Sequence, residues 1–210
     1  AIEAQNALQE FVPLDVQESL LKATVSLAFG QAVGEPDPID EANQIFAEVG
    51  DMEEFRDIVP GREALATTKF ISSDYETSLK ILGTIEQIIG DTDEFHYNKA
   101  MALASLSRWA EAKTQFLMVK NEAYIREIHY ISWLSKCYIM TREPEKAFDY
   151  YIQSTNTEEA KTLLQIISTE CFNQGQYYYA MKAYDILAKY ENDPVMRDGM
   201  IASAVGVFRN

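Results

Sequence analysis

An all-α solenoid of stacked helical hairpins is the fold class the sequence predicts, on three observations that keep step with one another. An anchor residue recurs at Tyr177, Pro144, Trp109, Tyr75 and Ile39, at spacings of 33, 35, 34 and 36 residues. Three positions after each anchor stands a small residue: Ala180, Ala147, Ala112, Ser78 and Ala42. Four positions further on stands a large apolar or aromatic one: Tyr184, Tyr151, Phe116, Leu82 and Phe46. Helical proteins abound in alanine and aromatics, so any one series would carry little, but three series at one period mark a structural repeat.

The period and the order of residues are those of the tetratricopeptide repeat, a helix–turn–helix of about 34 residues. The stretch Cys171–Tyr190 shows the pattern most fully. Gly175 permits the turn that ends a first helix. Ala180 lets two helices approach closely, and Tyr184 with Leu187 fills the space between one hairpin and the next. Ala112, Phe116, Trp133, Ala147 and Tyr151 are the corresponding packing residues upstream.

Taken in order, Ala4, Leu8 and Phe11 have the spacing of a second helix closed by Pro13, so residues 1–13 are expected to end a preceding repeat. A chain opening inside a repeat is expected to be a fragment of a longer one. Hairpins are expected at about 14–50, 60–90, 92–120, 127–156 and 160–190, in one continuous domain, with a further helix starting at 194 and running to 210. Leu20, Ala23 and Leu27 share a helical face. The segment GQAVGEPD before Pro38 predicts an inserted turn, and Asp51–Asp57 a second acidic linker. Pro60-Gly61 punctuates the next hairpin. Ser72-Ser73 replaces a turn glycine, Asp74 is a candidate cap, and Asp91-Thr92-Asp93-Glu94 caps the following helix and complements its positive end.

The 210 residues carry 33 acidic and 18 basic side chains, a net charge of −15. Such a surface repels phosphate backbones and anionic lipid, which argues against nucleic-acid and membrane-surface partners. The longest uncharged run, Ala23–Gly34, is too short to span a bilayer. Two cysteines and no Asn-x-Ser/Thr acceptor suit a reducing compartment. The sharpest charge asymmetry is residues 35–57, with nine acids against Arg56 alone. Glu35, Asp37, Asp40, Glu53, Glu54 and Asp57 there form either a solvated edge or a strip for a basic partner.

No catalytic, cofactor-binding or metal-binding set is expected. His96 and His129 stand in different repeats. His129 and Cys137, eight residues apart, sit about 80° apart around a helix. Asp91-Thr92-Asp93 lacks the glycine and the closing glutamate of a calcium loop. There is no phosphate-binding glycine loop and no Cys-x-x-Cys pair. Cys137 and Cys171 are expected as buried structural thiols. The inward positions of the first helices carry Lys136 as their one lysine, too little for a carboxylate clamp. A concave groove lined by Tyr97, Met101, His129, Lys136 and Phe172 is the expected seat for a protein segment.

Several segments go beyond a generic repeat: Ser132–Met140 (SWLSKCYIM), Gly175–Asp185 (GQYYYAMKAYD), Pro60-Gly61-Arg62, Phe95–Ala100 (FHYNKA) and Leu27–Gln31 (LAFGQ). Together they resemble, in order and through nearly the whole chain, the C-terminal half of the family of the 56-kDa tetratricopeptide subunit of intraflagellar transport complex B (tetratricopeptide repeat protein 26). Ser107 departs from the glycine expected at its turn. The resemblance implies a non-catalytic scaffold or adaptor that supports transport of motility-related cargo. Its implied partners are proteins, namely other complex B subunits (a 46-kDa subunit among them) and flagellar cargo. Its implied location is the cilium or flagellum and basal body, with a cytoplasmic pool. The alternative from the residues alone is a generic peptide-binding co-chaperone or assembly module.

Overall fold

The computed structural model describes residues 11–190 and 193–209; among them are twelve helices and no strand. Two compact units are distinguished, Ala1–Asp91 and Thr92–Asn210, each taken by itself. The expected close of a preceding repeat falls at Ala4 and Leu8 outside the described residues, while Phe11–Pro13 is not helical.

The first unit contains α1 (Val16–Val33), α2 (Pro36–Asp51), α3 (Val59–Ile71) and α4 (Tyr75–Ile89), each packed on the next. Its core gathers Ala23, Ala42, Phe46, Val49 and Ala64, with Leu20, Leu27, Ile45 and Phe55 packed around them. The expected inserted turn GQAVGEPD is not one. Helix α1 continues through Val33, the reversal takes only Gly34 and Glu35, and α2 begins at Pro36. Gly30, part of that supposed turn, lies buried inside α1. A Cβ there would meet Ile39 Cγ1 at 2.6 Å, so the glycine marks the close approach of two helices.

The second unit contains α5 (Asp93–Ser105), α6 (Trp109–Phe116), the single turn α7 (Glu122–Ile125), α8 (Ile128–Met140), α9 (Pro144–Gln153), α10 (Thr157–Asn173), α11 (Tyr177–Tyr190) and α12 (Pro194–Arg209). Helix α8 packs on α6, α9 and α10, so first helices touch both their own partner and the next first helix. This is the tetratricopeptide-like, all-α stacking of hairpins. Helix α6 ends at Phe116, short of the hairpin end expected at about 120, because the chain is caught there: the Asp93 carboxylate accepts from Lys120 N at 2.7 Å and Asn121 N at 3.1 Å.

Five reversals share one backbone device. Gly34, Ser73, Ser107, Arg142 and Gly175 have φ of 74, 60, 59, 66 and 69°, the left-handed region, and a helix starts two residues after each. The next N–H in each case reaches back to a carbonyl five residues earlier, as in Arg108 N to Leu103 O (2.9 Å) and Gln176 N to Cys171 O (2.8 Å). Counted from these turns, the residue matching Tyr177 in the first hairpin is Pro36, not Ile39. Helix α2 starts three residues early, while Ala42 and Phe46 keep their buried places.

Candidate functional site

The candidate surfaces are those of helices already in place. Ala112, Ala147 and Ala180 are fully buried, as is Phe116, and Tyr151 and Tyr184 are half-buried. Gly175 takes its left-handed turn. Trp133 is half-buried on α8. Cys137 and Cys171 are fully buried, and burial pushes both thiols up to about 12, far from a thiolate at neutral pH. No cluster of three or more His, Cys, Asp or Glu side chains able to hold a metal occurs among the described residues, and no helix of theirs is long and apolar enough to cross a membrane.

The five side chains expected to line a groove sit on α5 (Tyr97, Met101), α8 (His129, Lys136) and α10 (Phe172). Tyr97 is half-buried in an aromatic cluster. Its ring stacks on Tyr124 at 6.0 Å and on Tyr130 at 6.4 Å, and meets Phe116 edge-on at 6.0 Å. Burial, and then the charge of Glu127, holds its hydroxyl above the ordinary tyrosine value. Lys136 pairs with Glu170 at 2.7 Å and its ammonium lies 5.7 Å from the centre of the Trp109 ring. That lysine is neutralised within the protein, which removes the remaining cation from the carboxylate-clamp positions. Phe172 packs edge-on against Tyr177. His129 is exposed, and Met101 is half-buried.

The acidic residues fall into two settings rather than one insert. Glu35 occupies the N-cap position of α2, Asp37 lies in its first turn and Asp40 on its exposed face. Negative charge there complements the helix's positive end. Glu53, Glu54 and Asp57 lie exposed on the connection from α2 to α3, with Asp57 paired to Arg62 at 3.0 Å.

Sequence periodicity did not expose two polar knots in the second unit. Glu143 accepts from both Lys113 of α6 and Lys146 of α9, and hydrogen bonds from those lysines hold its carboxyl down to about 2. The same two ammonium groups lie 5.6 and 5.1 Å from the centre of the Tyr138 ring. In the second knot Arg142 Nη1 donates to Gln174 O at 2.8 Å, while Gln176 Nε2 donates to Ile139 O at 2.7 Å. Two successive turns are thus stapled in both directions. Apart from the local Glu143–Lys146 pair, the partners lie 30 to 37 residues apart, and only the repeat period pointed to that range.

Two comparisons with known proteins bear on the chain. A family model described as Intraflagellar transport protein 56 matches residues 1–210. A Caenorhabditis elegans protein described as an intraflagellar transport protein 56 homolog is 26% identical over 207 residues, which is 99% of this chain and 36% of that relative. The chain therefore spans little more than a third of the length of that relative.

Proposed function

The chain belongs to the intraflagellar transport protein 56 family, and from that premise we propose that it is a non-catalytic scaffold or adaptor segment, binding protein partners within intraflagellar transport complex B. The match over all 210 residues carries this reading. The all-α stacking of hairpins supports it, since such repeats present extended surfaces to other proteins. The partners in this reading are other complex B subunits, the 46-kDa subunit among them, and motility-related cargo. Its place is the cilium or flagellum and the basal body, with a cytoplasmic pool. Exposed His129 and half-buried Met101 and Phe172 mark where a bound segment would lie along the first helices. The co-chaperone alternative is the weaker one, because Lys136, its required cation, is held by Glu170.

Tagged full-length protein in a flagellated cell is expected at the basal body and along the flagellum, and to co-purify with the 46-kDa subunit. Diffuse signal with no flagellar fraction overturns the proposal. Excising residues 30–57 would destroy α2, so the acidic edge is tested by Glu53→Lys with Glu54→Lys on the exposed connection. Loss of a partner with unchanged thermal stability would assign that edge to binding.

A further inference from the structure

Three rings of the second unit converge on one cation. Phe148 on α9 and Tyr178 and Tyr179 on α11 surround the Lys182 ammonium, which lies 5.1, 5.0 and 5.7 Å from their centres. The spacing makes this possible: Lys182 is four residues after Tyr178 and three after Tyr179, so all three share one face of α11. Phe148 is nearly buried at 8%, but Tyr178 is 51% exposed, leaving the ring cluster open to solvent. Glu145 and Asp149, three residues before and one after Phe148 on α9, are exposed. Burial, and then the charge of Glu145, raises the Tyr179 hydroxyl above its ordinary value, with the Lys182 ammonium opposing it. Among the described residues, neither carboxylate and not Lys182 forms an ion pair.

Electron-rich ring faces, with exposed carboxylates beside Phe148 on α9, are the chemistry that holds an ammonium or guanidinium. A half-buried lysine tethered within the same helix is weakly committed to such a place, since its long stem loses rotamer freedom there and water still reaches its charge. We propose that Phe148, Tyr178 and Tyr179, with Glu145 and Asp149, form an acceptor for an arginine or lysine side chain from a basic segment of a partner protein, with Lys182 as the resident cation of the free chain. The site lies on second helices, away from the first-helix groove residues. It rests on the scaffold reading only in taking the partner to be a protein, and its test needs no flagellum, so the two can fail separately.

The probe is the peptide acetyl-Gly-Arg-Gly-Arg-Gly-amide, with its citrulline counterpart as the uncharged control. Binding to the chain is followed at physiological salt through the ring resonances of labelled tyrosines. Saturable shifts at Tyr178 and Tyr179 are expected with the arginine peptide and not with citrulline. Lys182→Met removes the resident cation and should tighten binding at least threefold. Adding Tyr178→Leu to that variant should weaken it at least fivefold, and Tyr178 is exposed enough for circular dichroism to stay unchanged. Should Lys182→Met not fold, Lys182→Gln gives the same readout. Equal affinity across the variants, shifts elsewhere than at these rings, or equal binding of the citrulline peptide would overturn the proposal.

Discussion

Ser107 holds a φ of 59° without being glycine, a conformation that costs an L residue roughly 1–2 kcal/mol. Replacing it with glycine relieves that strain but adds unfolded-state entropy, worth about 0.5–1 kcal/mol in the other direction. The balance favours Ser107→Gly by about 0.5–1 kcal/mol, read as a rise in urea midpoint at constant m-value. Glu143 makes a second residue-scale case. Its folded carboxyl is held at about 2, below the ordinary 4.5, chiefly by hydrogen bonds from Lys113 and Lys146. A depressed acid stabilises the fold above its unfolded pKa, and that contribution is lost as pH falls through the folded one. Glu143→Gln should therefore lower Tm at neutral pH, and its difference from wild type should shrink between pH 4.5 and about 2. A constant difference across that window would remove the knot from the account of stability.

At the scale of elements, two helical glycines predict opposite outcomes for the same substitution. Gly83 on α4 has nothing within 4 Å of an added Cβ, so Gly83→Ala should stabilise by about 0.5–1 kcal/mol through helix propensity alone. On α12, an added Cβ at Gly206 would meet the Tyr177 ring at 2.5–2.7 Å, and one at Gly199 the Tyr184 ring at 2.8 Å. Seven residues separate each pair of partners, and they match in antiparallel order, so α12 docks on α11 through two ring-on-glycine contacts. Gly206→Ala should destabilise despite its better propensity, because the ring root cannot swing aside without moving a helix. Thermal melts of the two variants shifting in the same direction would break this account. Ala180, fully buried on α11, is the tighter test of hairpin packing: Ala180→Leu should cost about 1–3 kcal/mol.

For the whole molecule, contacts run between helices close in chain order within each unit. Stability in such stacks is nearly a sum of local terms. The net charge of −15 sets those terms against self-repulsion. Raising ionic strength from about 0.01 to 0.15 M, which shortens the screening length from about 30 to 8 Å, should therefore raise Tm. A fall in Tm would mean that the ion pairs outweigh the repulsion.

By itself the sequence determined the all-α class, the repeat period, the family resemblance and the buried alanine series, since each is written in residue type at fixed spacing. Gly175 and the Ser72-Ser73 turn were legible for the same reason: a left-handed reversal restricts what can stand there. Three things depended on the tertiary structure. GQAVGEPD has the Gly and Pro content of a loop, yet Gly30 is small because Ile39 presses on it, and composition cannot separate a turn glycine from a packing glycine. Tyr97 sits at an inward position by register, but Tyr124 and Tyr130 stack on it. Lys136 looked available until Glu170, 34 residues on, closed on it. Periodicity specifies which face a side chain leaves from, whereas which neighbour meets it is decided only when helices from different repeats are brought within a few ångströms of each other.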